Sequence, residues 1–158
     1  MSLKIKYING DATEPVGEGN IIIVHICNDI GRWGRGFVMA ISNKWSEPKE
    51  EYRKWFKSKN EFELGKVQFV QVEDNIWITN LIGQHKLKED DFGKPPIRYE
   101  AIKEGLNEVL LKAKELNASV HMPRIGFGLA GGKWSIVRDL ILKSLVYNEV
   151  STTVYDFK

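Results

Sequence analysis

The chain has 158 residues, of which 42% are hydrophobic and 28% charged, which is typical of one globular domain with a sizeable core. Its 23 basic and 21 acidic residues give a formal charge of +2, so composition provides no case for a dedicated nucleic-acid binder. No run of the sequence approaches the ~20 apolar residues of a membrane span, and the first residues lack the apolar core of a signal peptide. The one cysteine, Cys27, cannot form a disulfide within the chain, which suits a reducing compartment. We therefore expect a single cytoplasmic domain over residues 1–158 that does not contact membranes.

Hydrophobic periodicity predicts an alternation of strands and helices along the whole chain. Strands are predicted at residues 4–8, 21–27, 67–72, 76–82, 119–122 and 152–157. Helices are predicted at residues 37–45, 49–57, 97–116 and 134–147, the third preceded by two prolines. This alternation indicates the α/β class, with helices on both faces of a central mixed sheet.

A glycine-rich segment, MPRIGFGLAGGKW at residues 122–134, lies between a short apolar strand and a helix. Its Gly126, Gly128 and Gly131 match the pattern G-x-G-x-x-G. Glycines let a backbone approach a ligand closely, and amides at a helix start attract an anion such as phosphate. A Rossmann fold would carry this pattern in its first strand-to-helix turn and needs further strands and helices, whereas only one helix and one strand follow here. A Walker loop is excluded as well, because Trp134 stands where that loop needs serine or threonine. A tight turn without a ligand is the alternative for this segment alone.

A second glycine-rich loop, NDIGRWGRGF at residues 28–37, also follows an apolar strand and precedes a helix. Because ligands of α/β sheets bind beyond the carboxyl ends of the strands, both loops are expected to line one crevice. Two anion-binding loops suit a diphosphate. A third segment, NGDAT at residues 9–13, ends the first strand at the same rim, where Asp11 either caps a turn or accepts a hydrogen bond from the exocyclic amine of a base.

In these three segments the sequence resembles the macro domain family, and the resemblance covers essentially the whole chain. NGDAT at 9–13, HICNDIGRWGRG at 25–36 and MPRIGFGLAGGKW at 122–134 occur in the family's order and spacing. Pro-Arg-Ile-Gly-x-Gly and the ending Thr-Val-Tyr at 153–155 are most similar to the subgroup of terminal ADP-ribose protein glycohydrolase and yeast ADP-ribose-1″-phosphate phosphatase. The resemblance implies a three-layer αβα domain, with a mixed sheet of about six strands, that holds ADP-ribose or an ADP-ribosylated macromolecule and needs no cofactor.

The resemblance also implies which residues hold the ligand. Asp11 would bind the adenine amine, with Tyr155 or Phe157 packing on or near the ring. The loop at 124–132 would hold the diphosphate, and Asn28 with the turn at 31–37 would enclose the terminal ribose. The ligand-binding residues predicted in this way are Asp11, Ala12, Asn28, Gly31, Trp33, Gly34, Arg35, Gly36, Phe37, Arg124, Ile125, Gly126, Phe127, Gly128, Leu129, Ala130, Gly131, Tyr155 and Phe157.

Two positions depart from the glycohydrolases of this subgroup. Those proteins use a lysine after the fourth strand and an aspartate in the phosphate loop, where alignment places Gln84 and Ala130. Lys86 and Lys88 lie nearby but would need a register shift to replace the lysine. A mechanism through a lysine nucleophile is therefore not expected.

Four polar residues at predicted strand ends are instead candidates for positioning a water molecule: Asn28, Asp29, Gln84 and His85. Histidine is the residue type suited to proton transfer near neutral pH, although a lone loop histidine can equally be merely solvated. His25 and His121 lie in apolar runs and are predicted to be satisfied core residues. No cluster of histidine, cysteine and carboxylate side chains has metal-ligand spacing, so no metal site is predicted.

Two functions follow as hypotheses. The first is a hydrolase that removes an ester or phosphate from the terminal ribose of ADP-ribose, acting on glutamate-linked ADP-ribose, O-acetyl-ADP-ribose or ADP-ribose-1″-phosphate. The second is a non-catalytic reader of ADP-ribose. Gln84 and Ala130 favour the reader, whereas Asn28 and Asp29 leave hydrolysis open.

Overall fold

The computed structural model describes residues 3–157, and this range contains six strands and four α-helices. The strands are β1 (Lys6–Asn9), β2 (Ile21–Asn28), β3 (Val67–Glu73), β4 (Ile76–Gln84), β5 (Ser119–Pro123) and β6 (Thr152–Asp156). The helices are α1 (Phe37–Lys44), α2 (Glu47–Ser58), α3 (Tyr99–Leu116) and α4 (Trp134–Ser144), with 3₁₀ turns at Gly128–Ala130 and Val146–Asn148.

The strands form one mixed sheet in the order β1-β6-β5-β2-β4-β3. All neighbouring pairs are parallel except β3 and β4, which form an antiparallel hairpin. The carboxyl ends of the five parallel strands therefore meet at one edge of the sheet, where the chain segments that follow them come together. The predicted mixed sheet of about six strands is confirmed.

Both faces of the sheet are covered by helices, which gives the three layers that were predicted. On one face, Leu106 of α3 and Ile141 of α4 are fully buried in a core cluster with residues of β2, β4, β5 and β6. On the other face, Ile41 of α1 and Tyr52 of α2 are fully buried against β2 and β4. Because β2 lies in the middle and is covered on both sides, its sequence is an almost unbroken apolar run.

Five helix boundaries differ from the predicted ones by one to three residues, and two of these differences have a clear structural cause. Helix α3 begins at Tyr99 rather than residue 97, because Ile97 pairs with Gln84 and its amide donates to the Ala130 carbonyl at 3.1 Å. Helix α4 ends at Ser144 rather than residue 147, because the chain tightens there into a 3₁₀ turn. In the part of the chain that the structure describes, no helix has the length and apolar character needed to cross a bilayer.

Candidate functional site

Three adjoining cavities form a groove along the carboxyl edge of the sheet. We call them the Asp11 cavity, of about 420 Å³, the central cavity, of about 280 Å³, and the distal cavity, of about 190 Å³. Their linings overlap: Gly36 and Phe37 border the first two, while Arg35 and Gln84 border the last two. The groove as a whole has the size of a small-molecule site, for which about 300–1,000 Å³ is usual.

Each cavity is defined by the residues that line it. The Asp11 cavity is bounded by Gly10, Asp11, Ala12, Gly36, Phe37, Ala40, Pro123, Tyr155 and Phe157. The central cavity is bounded by His25, Ile26, Arg35, Gly36, Phe37, Val38, Gln84, Pro123, Arg124, Ile125, Gly126, Phe127 and Ala130. The distal cavity is bounded by Ile26, Cys27, Asn28, Arg32, Trp33, Gly34, Arg35, Val38, Gln84 and Leu87.

A larger cavity, of about 660 Å³, lies beside the edge strand β1 and touches neither glycine-rich loop. Volume therefore does not single out the groove. The groove is distinguished because both glycine-rich loops and the segment after β1 converge on it, as the sequence predicted.

Asp11 takes one of the two roles that the sequence left open, that of capping a turn. Its Oδ1 accepts hydrogen bonds from the amide and hydroxyl of Thr13, at 2.8 and 2.7 Å, and so caps the turn after β1. Its Oδ2 has no hydrogen-bond partner among residues 3–157. One carboxylate oxygen thus stabilises the loop, while the other remains free to accept a hydrogen bond in the cavity that Asp11 lines.

A chain of hydrogen bonds ties this loop to the sheet. The Val16 amide donates to the Tyr155 hydroxyl at 3.0 Å, and that hydroxyl lies 2.6 Å from Nδ1 of His121. Desolvation, with a further contribution from the charge of Lys6, lowers the pKa of His121 to about 4. The neutral ring therefore accepts from Tyr155 through Nδ1 and donates through Nε2 to Ser119, 2.8 Å away. His121 is a satisfied buried residue, as predicted.

The glycines of the loop at 124–132 are required for different structural reasons. Gly126, Gly128 and Gly131 have φ values of 73°, 70° and 74°, in the left-handed region that favours glycine. A Cβ on Gly126 would overlap Ile97, whereas a Cβ on Gly128 would meet nothing within 4 Å. Gly126 is thus required by packing, and Gly128 leaves open space. The side chain of Leu129 lies outside the described part of the molecule.

Arg124, at the start of this loop, has its guanidinium engaged. Nε and one terminal nitrogen donate to the two carboxylate oxygens of Asp156, at 2.6 and 3.1 Å. This bidentate contact raises the pKa of Arg124. The guanidinium also lies 5.1 Å from the ring centre of Tyr7 and 4.9 Å from that of Trp134. Its side chain anchors the loop.

His25, on the wall of the central cavity, is buried and only half satisfied. Asn80 donates its amide hydrogens to Pro48 and Gln68, so its Oδ1 faces His25 and accepts from Nε2 at 2.5 Å. Nδ1 is then an acceptor, and it has no partner among the described residues. The expectation of a satisfied core histidine is confirmed at Nε2 and wrong at Nδ1. Burial lowers the pKa of His25 to about 4, which keeps the ring neutral at pH 7.

Asn28 shapes the turn that borders the distal cavity. Its Oδ1 accepts from the amides of Ile30 and Arg32, both at 3.1 Å, and from the Tyr52 hydroxyl at 3.0 Å. Its Nδ2 donates to the Arg32 carbonyl at 2.6 Å. These bonds hold the turn rigidly, and Gly31 in it packs directly against Phe56, which leaves no room for a Cβ.

Trp33 is a buried anchor of the same loop. Only 5% of its surface is exposed, and its indole N–H donates to Ser42 at 2.8 Å. These contacts make Trp33 a packing residue of the loop, and it also lines the distal cavity. Gly34 and Gly36, which flank Arg35, have positive φ values and open space around their Cα atoms.

The four residues that the sequence offered for catalysis divide into two pairs. Asn28 and Gln84 line the distal cavity. Asp29 and His85 do not line it; each follows one of those two residues in the sequence, and they pair with each other at 2.6 Å between Oδ2 and Nδ1. The other Asp29 oxygen accepts from the Lys86 amide at 2.8 Å. His85 Nε2 has no partner in the described range. Asp29 and His85 are 56 positions apart, so no local pattern indicated this contact.

The chain is similar to two solved structures over almost its whole length. A protein of unknown function from Bacteroides thetaiotaomicron is 55% identical, with 97% of this chain and 98% of that chain covered and a TM-score of 0.96. A macrodomain protein from Streptomyces coelicolor is 49% identical, with 97% and 99% covered and a TM-score of 0.87. No model of a protein family matches the chain.

Two curated proteins are also similar. Chromodomain-helicase-DNA-binding protein 1-like from Mus musculus is 33% identical over 165 residues, which cover 99% of this chain but 18% of that protein. The chain thus spans about a fifth of that relative. An ADP-ribose 1″-phosphate phosphatase from Lodderomyces elongisporus is 26% identical, with 92% of this chain and 97% of that protein covered.

Proposed function

The chain belongs to the macro domain family, and on that premise we propose that it binds ADP-ribose along the groove and hydrolyses an ester or phosphate on the terminal ribose. The observation that carries the proposal is the order of the three cavities. An unpaired carboxylate oxygen beside aromatic residues, two glycine-rich loops, and a polar end follow one another along one edge of the sheet. Adenine, diphosphate and terminal ribose occur in the same order in ADP-ribose.

Adenine would occupy the Asp11 cavity. Asp11 Oδ2 is available to accept from the exocyclic amine, since Oδ1 is already used by Thr13. Tyr155 and Phe157 line this cavity and supply aromatic surface for the base. Phe157 is 80% exposed, so a bound base would cover much more of its ring than is covered without one.

The diphosphate would occupy the central cavity, against the loop that contains Gly128. The open space beside Gly128 allows phosphate oxygens to approach the backbone. Arg35 borders this cavity from the opposite loop and carries a charge complementary to the diphosphate. Arg124 would contribute by anchoring the loop, because Asp156 already holds its guanidinium.

Hydrolysis would use water rather than a covalent nucleophile, because Gln84 and Ala130 stand where the resembling glycohydrolases have lysine and aspartate. Asp29 accepts from His85 Nδ1, which leaves Nε2 as a base for a water molecule at the rim of the distal cavity. Nε2 would take a proton from the water as it attacks and return it to the leaving oxygen. Asn28 and Gln84 would orient the ribose.

A reader without catalysis is the second candidate, and a specific observation favours it. Every hydrogen-bonding atom of the Asn28 side chain is engaged within the turn, and the Asp29–His85 pair lies outside the cavity linings. In that case the groove would hold ADP-ribose without bringing a base close to the bond to be cleaved.

The test compares turnover with affinity in the same variants. We expect His85→Ala to slow hydrolysis of glutamate-linked ADP-ribose by about 10²-fold, the low end for general acid–base catalysis, while calorimetric affinity for ADP-ribose stays within a few fold. Asp29→Asn should slow it in the same direction, because the amide no longer stabilises a charged imidazole. Lys88→Ala, an exposed change in the same segment, is the matched control.

Each outcome separates the alternatives. Tight ADP-ribose binding without turnover of ester or phosphate substrates would establish the reader. A folded protein that does not bind ADP-ribose would overturn the proposal as a whole.

A further inference from the structure

The distal cavity is lined by positive charge. Arg32 and Arg35 are the charged residues of its lining, and no carboxylate belongs to that lining within residues 3–157. Both arginines are exposed, and neither has an ion-pair partner in the described range. Asp29, the nearest carboxylate in sequence, is already bonded to His85 and to the Lys86 amide.

Arg32 is held in place through its backbone. Its amide donates to Asn28 Oδ1, and its carbonyl accepts from Asn28 Nδ2. Asn28 is in turn fixed by the Tyr52 hydroxyl, and Tyr52 is fully buried. The position of the Arg32 Cα is therefore determined by the core, and binding a ligand would cost ordering of the side chain alone. Removal of the guanidinium leaves these backbone contacts intact.

The two arginines occupy different places along the groove. Arg35 borders both the central and the distal cavity, as expected of a residue that serves the diphosphate. Arg32 borders the distal cavity and not the central one. If the diphosphate lies in the central cavity, Arg32 is therefore placed beyond it, at the cavity proposed for the terminal ribose.

We infer that Arg32 is a specificity residue that selects an anionic over a neutral substituent on the terminal ribose, with phosphate as the preferred group. The inference rests on the proposed function, since it assumes that the terminal ribose lies in the distal cavity. A planar guanidinium matches phosphate with two parallel hydrogen bonds, a geometry that a neutral acetyl ester does not offer. Substrates with a phosphate at this position are therefore bound more tightly than O-acetyl-ADP-ribose.

The experiment measures calorimetric affinity for three probes: ADP-ribose, ADP-ribose-1″-phosphate and O-acetyl-ADP-ribose. All variants carry His85→Ala, so that turnover does not consume the ligand. We expect ADP-ribose-1″-phosphate to bind about tenfold more tightly than O-acetyl-ADP-ribose at low salt, and less so at high salt. Arg32→Ala should reduce this preference to about twofold, while Arg32→Lys keeps part of it. The control is Arg138→Ala, which removes an exposed arginine beside the separate β1 cavity.

Affinity for ADP-ribose itself distinguishes the inference from the proposed function. If ADP-ribose binds and the parent shows no preference for the phosphate, or if Arg32→Ala keeps the full preference, the inference is overturned while the proposed function stands. If ADP-ribose does not bind at all, the proposed function is overturned, and the inference that rests on it is overturned as well.

Discussion

The Asp11 end and the distal end of the groove both have a loop fixed by hydrogen bonds, but they differ in the ionisable side chains that they leave exposed. At the Asp11 end, the turn after β1 is tied to the sheet by a chain of bonds through Tyr155 and His121. At the distal end, the Arg32 guanidinium and Nε2 of His85 have no hydrogen-bond partner among the described residues. Both groups are accessible to solvent. Rigid bonds reduce the cost of ordering a site, whereas exposed groups remain available for new contacts.

If the proposed function holds, this contrast separates recognition of the base from chemistry at the terminal ribose. Under the proposed function, adenine is common to all the ligands considered, so the end that holds it can be organised in advance. The substituent on the terminal ribose differs between ligands, and the open end faces it. The predictions below test this contrast, beginning with the segment on which both ends depend.

Gly128→Val should have the largest effect, because it places a side chain in the open space beside the loop at 124–132, and other residues of that loop line the central cavity between the two ends. We expect it to abolish measurable ADP-ribose binding in calorimetry, irrespective of the two ends. The positive φ of residue 128 adds strain of about 1–2 kcal/mol, so thermal unfolding should confirm that the variant is folded. Unchanged affinity in a folded variant would remove this loop from the site.

Gly128→Ala and Gly126→Ala form a matched pair for the same question. Their φ values, 70° and 73°, impose nearly equal strain, so a difference between the variants reports the surroundings. A Cβ at Gly126 overlaps Ile97 in the core, whereas one at Gly128 is unobstructed. Gly126→Ala should therefore lose more stability, and Gly128→Ala should lose affinity with little further loss of stability.

Acidification should weaken the Asp11 end through His121. Its pKa is about 4 in the folded protein and about 6.5 in the unfolded chain, so the unfolded chain binds more protons in between. The stabilisation is present above pH 6.5 and is lost as pH falls towards 4, because protonated Nδ1 no longer accepts from Tyr155. Between pH 7 and pH 4.5 we expect the protonation of His121 to lower the free energy of unfolding by roughly 2 to 3 kcal/mol.

Urea unfolding of the parent protein and of the His121→Asn variant, each at pH 7 and pH 4.5, isolates the contribution of His121 to the pH dependence of stability. The variant should be less stable at pH 7 and should lose less stability on acidification. His25, whose pKa is also about 4, acts in the same direction and remains in both proteins, so it cancels in the comparison. An identical pH dependence in the two proteins would show that His121 does not supply this sensitivity.

Asp11→Asn should give the smallest effect and the most specific one. The amide oxygen can still accept from Thr13 and keep the turn, while an N–H₂ group replaces the free Oδ2. We expect a loss of about 1–3 kcal/mol in ADP-ribose affinity, the usual cost of an unsatisfied hydrogen bond, and a narrower preference for ADP-ribose over IDP-ribose. Thr13→Val, which removes a bond to Oδ1 alone, is the control and should leave the preference intact.

Local patterns in the sequence were sufficient for the element order and for the meeting of the loops. The alternation of apolar runs and helical periodicity predicted all six strands and the four α-helices of the described range, with errors of a few residues at their ends. The turn at Asp11 was also predictable, because its capping partner Thr13 is two residues away. Such features depend on neighbours in the chain, which a sequence displays directly.

The contacts that shape the groove were decided by the tertiary structure. Val16 reaches Tyr155 across 139 positions, Asp29 reaches His85 across 56, and Arg124 is withdrawn to Asp156 across 32. Each contact joins strand ends, or the segments that follow them, which are far apart in the chain and close together at one edge of the sheet. The sequence by itself determined which loops line the groove. The order of the parallel strands decided which side chains in the groove lack a hydrogen-bond partner, because hydrogen bonding depends on distances that only packing sets.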